Sequence, residues 1–307
     1  MTASTPPSIY PLRGRDTLPM PGEGGVPNVT RFAPSPTGYL HIGHAYSALF
    51  AWEAARRSGG CFVLRIENID ETRCLDAFEQ ATIDDLAWLG ITSDVPIRRQ
   101  ADEFAAYEAA LSVLSRRDLI YPCFCTRKQI RAEVEESGRA PHGPSGEVLY
   151  PGICRHLADE ERDYRIANGE PFAWRLNVDA AMAQTGPLRW YDCRAGWVDC
   201  RPDLLGDVVL GRKDTPTSYH LAVTVDDAIQ GVNLVTRGED LYHATHIHRL
   251  LQALLDLPAP RWYHHNLVAD SRGQRLAKRN RAITLRHLRD LGKSPADVWK
   301  LLGLQLG

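Results

Sequence analysis

Two imidazoles, His41 and His44, bracket Gly43 in the tetrapeptide HIGH. At the start of a helical run, that grouping suits a nucleotide. Backbone N–H groups at a helix N-terminus and the helix dipole favour phosphate. Gly43 lets a flat base approach the backbone closely. His41 and His44 can donate hydrogen bonds to charge developing on an α-phosphate, as electrostatic stabilisers rather than nucleophiles. Just upstream, RFAPSPTG places Arg31 ahead of Pro34 and Pro36. The prolines fix φ and hold the residues before them extended, and the Arg31 guanidinium presents a planar fork to a carboxylate. A surface turn before an ordinary helix is the alternative. The unbroken run from Arg31 to His44 argues against it.

A second group is made of soft ligands. Cys123, Cys125 and Cys154 offer three of the four positions that zinc takes in a tetrahedron. His142 and His156 could supply the fourth; buried, inert cysteines are the other reading. Nothing around Cys61, Cys74, Cys193 or Cys200 resembles an activated thiol site. The adjacent carboxylates Asp226 and Asp227 could line a nucleotide site or cap a turn, and the structural role is favoured.

These residues need elements to position them. A strand is expected from Val29, and the HIGH helix, an amphipathic run, from Ile42 to Arg57. After the Ser58-Gly59-Gly60 turn, CFVLRIENID reads as a short apolar strand ending in polar residues. Asp76 to Leu89 reads as a helix, with Phe78, Ile83, Leu86 and Leu89 at helical spacing. This alternation predicts a parallel α/β sheet, with Glu67, Asn68 and Asp70 just past a strand end, where such sheets bind ligands. From Tyr121 to Trp197 the pattern turns irregular and reads as an insert. Beyond it, DVVLGR, SYHLAVTVDDAIQG, VNLVTRG and WYHHNLVAD read as strands, with a helix from Tyr242 to Leu255 among them. Residues 1–27 are rich in Pro, Gly, Ser and Thr and read as a flexible extension, disordered or loosely docked. The expected domains are a discontinuous catalytic domain (28–120 and 198–270), an insert (121–197) and a short helical tail (271–307).

The 307 residues can bury a substantial core, and 44% apolar with 24% charged residues is ordinary for a soluble globular chain. No apolar run has the length of a membrane span and no secretory signal precedes the core. Seven cysteines, an odd number, argue against a disulfide framework and point to the cytoplasm. With a formal net charge of −2, any nucleic-acid contact must come from a local patch. Arg272, Arg275, Lys278, Arg279, Arg281, Arg286, Arg289 and Lys293, opposed by Asp290, form the candidate; a solvated helix face is the bland alternative.

RFAPSPTGYLHIGH resembles the ATP-binding signature of class I aminoacyl-tRNA synthetases, and RFAPSPTG is similar to their glutamyl and glutaminyl branch. The resemblance runs through almost the whole chain after residue 28. It implies a Rossmann-type parallel sheet carrying an insert that could bind zinc. It also implies a glutamate pocket of Arg31, Phe32, Ala33, Pro34, Ser35, Glu67, Tyr219 and Arg237. Two arginines, a carboxylate and a phenol complement the two carboxylates and one ammonium of glutamate. ATP, accompanied by Mg²⁺, would meet His41, Gly43, His44 and Lys278. Lys278 stands in RLAKR, a variant of the family's KMSKS loop in which Ala277 lacks a hydroxyl and Arg279 adds charge. Similar chains complete a zinc site of Cys123, Cys125 and Cys154 with a tyrosine, and Tyr150 stands at that place.

The chain ends soon after Arg279, where family members that grip an anticodon continue. With RGEDL at 237–241, this resembles a stand-alone form of the catalytic core. The implied expectation is a monomer that forms glutamyl-adenylate without tRNA. It would then esterify glutamate onto the cyclopentene-diol of queuosine at the wobble position of tRNA(Asp). The alternatives are a truncated glutamyl-tRNA synthetase charging an acceptor end, and a non-catalytic tRNA-binding paralogue.

Overall fold

The computed structural model describes residues 16–126, 128–130, 132–133, 143–144, 146, 148–268 and 283–302. In chain order its first elements are β1 (Val29–Phe32), α1 (Ile42–Arg57), β2 (Cys61–Ile66), α2 (Asp76–Trp88), β3 (Arg98–Arg99) and α3 (Phe104–Ser115). Then follow β4 (Ile120–Cys123), α4 (Asp159–Ala167), β5 (Ala173–Leu176), α5 (Val178–Thr185), β6 (Arg189–Asp192), β7 (Gly196–Asp199) and β8 (Val209–Gly211). The last are α6 (Tyr219–Ile229), β9 (Leu234–Gly238), α7 (Ala244–Leu254), β10 (Arg261–His265), α8 (Leu285–Asp290) and α9 (Pro295–Leu301). No described helix is long and apolar enough to cross a membrane.

Two compact units divide the chain. The first, residues 1–101, 232–241 and 261–307, holds the parallel strands. β1 runs parallel to β2, β2 to β3, and β9 to β10. The Asn28 carbonyl accepts from Cys61 N–H at 3.0 Å, and the next carbonyl, Val29, accepts from Asn233 N–H at 3.1 Å. Successive carbonyls of a strand face opposite edges, so β1 lies between β2 and β9. The α1 and α2 crossovers give the expected α/β layout.

α1 departs from the expected amphipathic helix. Ile42, Ala45, Tyr46, Ala48, Leu49, Phe50, Ala51, Ala54 and Ala55 are all buried, which leaves little polar face. A helix apolar on most sides belongs inside a core, and its alanines let it lie close to β1 and β2. The one buried acid, Glu53, pairs with Arg57 one turn on. Gly60 closes the turn because a Cβ there would sit 2.0 Å from the Asn28 carbonyl oxygen.

Within the expected N-terminal extension, residues 16–27 make defined contacts. Asp16 accepts hydrogen bonds from Tyr46 and Asn266, and Arg261 donates to the Met20 carbonyl at 3.2 Å. After the segment 269–282, the chain returns through short capped helices. Thr284 caps α8, and Ser294 with Asp297 forms a capping box on α9.

The second unit, residues 102–231 and 242–260, is built on an antiparallel sheet in which β5 pairs with both β4 and β8. β6 pairs antiparallel with β7, Trp190 opposite Val198. The unit's core joins Tyr107, Leu111 and Leu114 of α3 to Leu221, Ala222 and Val225 of α6 and Ile247, Leu250 and Leu251 of α7. The compact unit therefore extends beyond the expected insert of 121–197 on both sides, because flanking helices share its apolar cluster.

One expected strand is a helix. SYHLAVTVDDAIQG forms α6, despite the valines and threonine that favour strands. Leu221, Ala222 and Val225 recur at helical spacing on the buried side, and their packing overrides propensity. Asp226 is fully buried and accepts from Tyr107 Oη at 2.9 Å, in keeping with the structural role favoured for it.

Candidate active site

The N-terminus of α1 is organised by its two histidines. His41 Nδ1 accepts from Gly43 N–H at 3.1 Å and His44 N–H at 3.4 Å. His44 Nδ1 accepts from His41 N–H at 3.2 Å, completing a reciprocal capping box. The rings stack at 3.7 Å with 19° between their planes. With Nδ1 accepting in both, the proton of each neutral ring sits on Nε2. The first backbone N–H groups of the helix are engaged within the protein: Ile42 N–H donates to the Ile283 carbonyl at 3.2 Å, and the next two to His41. The bare helix terminus that the sequence suggested for a phosphate is thus engaged by acceptors of the protein itself. Gly43 also serves the imidazole: a Cβ there would lie 3.0 Å from His41 Cε1.

The loop after β1 reaches across to β2. Thr37 N–H donates to the Ser35 carbonyl at 2.8 Å, and Glu67 N–H donates to the Pro34 carbonyl at 3.0 Å. The sequence-predicted Phe32, Ala33, Pro34, Ser35 and Glu67 thus share one end of the sheet. Glu67 accepts from the fully buried Arg65 at 3.1 Å. On the other side of β1, Arg31 donates through Nη1 to the Thr236 carbonyl at 2.9 Å. The next residue, Arg237, donates through Nε to His264 Nε2 at 3.2 Å. Both guanidiniums are buried, so neighbouring strands bring positive charge to the carboxyl end of the sheet, where parallel sheets bind ligands.

His264 and His265 were not among the predicted site residues. His264 sits opposite Arg237 in the β9–β10 register and fixes its Nε. His265 Nδ1 lies 2.9 Å from the Asn266 carbonyl, which can only accept, so Nδ1 carries the proton. Its Nε2 then accepts from Ser47 Oγ, 3.0 Å away on α1. Burial pushes His265 below the usual imidazole range, which keeps this tautomer neutral. Their signal in the sequence was the HH pair closing a strand, beside the expected ligand-binding edge.

Both flanks of the segment 269–282 attach to the HIGH element. Before it stand His265 and Asn266. After it, Leu285 N–H donates to the Leu40 carbonyl at 2.9 Å and Thr284 bridges His41. Lys278 and the rest of RLAKR lie outside the described residues, as do Arg272 and Arg281. Of the described part of the basic cluster, Arg289 pairs with the buried Asp85 at 3.2 Å and Arg286 donates to Tyr39 Oη at 2.9 Å. Those two guanidiniums hold the fold together at that face.

Tyr219 belongs to the second unit, where it opens α6. Its ring centroid lies 5.5 Å from those of His220 and His248. His220 Nδ1 and His248 Nε2 are 3.2 Å apart.

The cysteine cluster is also in the second unit. Cys123 ends β4, Cys125 follows, and Cys154 lies in a 3-10 turn, Ile153–His156. Their sulfurs lie within 4.8 Å of one another, and Cys125 Sγ is 3.4 Å from Cys154 Sγ. Tyr150 Oη is 3.7 Å from Cys125 Sγ and accepts from Cys154 N–H at 2.8 Å. A zinc tetrahedron with bonds of about 2.3 Å separates its sulfurs by about 3.8 Å, so the donor set fits that ion. Without it, a hydrogen bond with Cys123 draws Cys154 down to about 6, while Cys123 is pushed up to about 12 by the same bond and by burial. Burial raises the Tyr150 phenol, and Arg175 lies over its ring at 3.8 Å. His156 does not join the group and His142 lies outside the described residues. Burial also pushes the Cys200 thiol up to about 12, and Cys61 upward, as expected of unreactive cysteines.

Residues 28–305 match the family described as tRNA synthetases class I (E and Q), catalytic domain. The chain is 48% identical over 282 residues to the Glutamyl-Q tRNA(Asp) synthetase of Rhodobacter capsulatus, covering 90% of this chain and 100% of that one. It is 42% identical over 277 residues to the protein of that name from Nocardia farcinica, covering 90% and 84%. A crystal structure of a glutamate tRNA ligase from Elizabethkingia meningosepticum, in complex with its amino acid, superposes with a TM-score of 0.69 at 28% identity. That match covers 83% of this chain and 52% of the other, so the chain spans about half the solved ligase.

Proposed function

The chain belongs to the class I tRNA synthetases of the E and Q type, and from that premise we propose a two-step glutamyl transfer. L-Glutamate is activated by ATP to glutamyl-adenylate without tRNA, and the glutamyl group then passes to the queuosine at the wobble position of tRNA(Asp). The similarity to the Rhodobacter capsulatus protein along its whole length carries this reading.

In the first step a glutamate α-carboxylate oxygen attacks the α-phosphorus of ATP in line. The new P–O bond forms as the bond to pyrophosphate breaks. Arg31 and Arg237 receive the substrate carboxylates, Glu67 the ammonium, and Tyr219 hydrogen-bonds the bound glutamate; Phe32, Ala33, Pro34 and Ser35 shape the wall. The Nε2–H groups of His41 and His44 stabilise charge on the α-phosphate, and Lys278 the departing pyrophosphate. Mg²⁺ bound with ATP would supply neutralisation of phosphate charge. In the second step a queuosine hydroxyl attacks the adenylate carbonyl carbon; an ester forms, the mixed anhydride breaks, and AMP leaves with its phosphate as proton acceptor. Cys123, Cys125, Tyr150 and Cys154 would hold a structural zinc, supplying a link between β4 and the turn at 153–156.

The test is transfer of labelled glutamate, with ATP, to queuosine-containing tRNA(Asp), the same tRNA lacking queuosine, and tRNA(Glu). Labelling of the first alone is expected. Preferential charging of tRNA(Glu) overturns the choice of acceptor. Absence of glutamate-dependent ATP–pyrophosphate exchange overturns the catalytic reading altogether.

A further inference from the structure

We infer that Asp16 is a positioning residue for the ATP chemistry, clamping the helix that carries His41 and His44 to the end of β10. The inference rests on the proposed activation reaction. Asp16 Oδ2 accepts from Tyr46 Oη at 2.8 Å and from Asn266 N–H at 3.0 Å. Its Oδ1 accepts from Asn266 Nδ2 at 3.2 Å and lies 3.4 Å from Tyr263 Oη. Tyr46 is on α1, two residues beyond His44, and is 1% exposed. Asn266 is the first residue after β10.

A carboxylate is the group suited to this place. Four donors converge on it, and only an ionised carboxylate offers enough acceptor sites on two adjacent oxygens. Such charge-assisted bonds are shorter and stronger than neutral ones. The Ser47–His265 contact joins the same two elements, so Asp16 reinforces a connection present in the domain itself. Asp16 precedes residue 28, where the family match begins. The clamp is therefore supplied from outside the matched catalytic domain, by a stretch whose composition reads as a tail.

The experiment measures glutamate-dependent ATP–pyrophosphate exchange on the full chain, with Asp16→Ala, Asp16→Asn and Tyr46→Phe. Asparagine keeps one acceptor oxygen but adds an NH₂ that opposes the Asn266 N–H. The Asp16 variants are expected to raise KM for ATP about fivefold to thirtyfold, as for one or two lost charge-assisted hydrogen bonds. KM for glutamate stays within about twofold, since Arg31 and Arg237 sit on other strands. Tyr46→Phe, which deletes one donor and keeps the packing, gives a smaller rise of the same kind and decides the matter if the Asp16 variants do not fold. An unchanged KM for ATP beside an active wild type overturns the inference alone. So does a parallel rise in both KM values with a large fall in Tm, which is the mark of a merely structural contact. A wild type without exchange activity removes the proposed function, and this inference with it.

Discussion

His41 and His44 cap one another, each accepting the other's backbone N–H on Nδ1 while their rings stack at 3.7 Å. One pair of side chains thus does two jobs. The inner nitrogens terminate the helix, and the outer nitrogens carry the protons that the proposed reaction uses. The capping role makes the tautomer a consequence of the fold rather than of bound substrate.

The two jobs separate under substitution. Asparagine is a strong N-cap, so His41→Asn retains an acceptor for the Gly43 and His44 N–H groups. Its stability is expected within about 0.5 kcal/mol of wild type, whereas His41→Ala loses about 1 kcal/mol. Both lose the Nε2–H donor, and ATP–pyrophosphate exchange should fall by about 10² or more, as for removal of one oxyanion donor. Thermal melts beside exchange rates check this. Wild-type exchange in His41→Asn would show that the imidazole serves the helix alone.

Much of the first unit was legible from sequence because its signals are local. Proline-led turns, a capped helix start and the Gly59-Gly60 stop delimit β1, α1 and β2, and α1 runs from Ile42 to Arg57 as expected. What escaped depends on contacts between distant residues. α6 reads as a strand because Val223, Thr224 and Val225 carry β propensity; only packing on α3 and α7 makes it a helix. His264 gains its meaning from Arg237 across the register, and Asp16 from donors on α1 and beyond β10. None of these pairings leaves a periodicity. The proposed glutamate set is a reading of residue types, but that Pro34 meets Glu67 required the fold.

The proposed zinc in the cysteine cluster would make the second unit metal-dependent. Purified protein should carry about one zinc per chain, and Cys154→Ser should bind it far more weakly. Removal by chelator is expected to lower Tm by several degrees, since metal binding is coupled to folding. Tyr150→Phe removes the oxygen donor and the acceptor of Cys154 N–H together. It should keep the metal with reduced affinity if the three sulfurs suffice to hold the ion. Well under one zinc per chain after supplementation counts against the site.

His246 predicts a pH dependence of stability. Its Nδ1 accepts from Trp190 Nε1 and Arg201 N–H, both at 3.2 Å, and burial holds its pKa at about 4. An unfolded histidine titrates near 6.5. Above that pH the ring is neutral in both states and full stability is present. As pH falls from 6.5 towards 4 the unfolded chain gains a proton that the folded one refuses, and stability drops by up to about 3 kcal/mol. Urea unfolding between pH 7.5 and 4.5 should show this slope, and His246→Gln should flatten it while unfolding more easily at neutral pH. An equal slope in the variant would assign the dependence to other groups.

Arg289 tests the basic cluster. Its guanidinium pairs with Asp85, which is 2% exposed, and stacks over Trp88 at 5.6 Å. Burial raises the Asp85 carboxyl despite that partner. Removing the arginine leaves a buried acid without its cation, which costs several kcal/mol in a closed interior. Arg289 is 41% exposed on its side chain, so screening reduces the loss to about 1–2 kcal/mol. Arg289→Ala should therefore unfold at lower urea, and the loss should shrink at low pH, where Asp85 takes a proton. Asp85→Asn in the same background should recover part of it. If Arg289 instead contacts nucleic acid, its removal would leave stability intact and weaken tRNA binding with a shallower salt dependence. Urea titrations and filter binding at two salt concentrations distinguish the outcomes, and the ion pair to Asp85 favours the first.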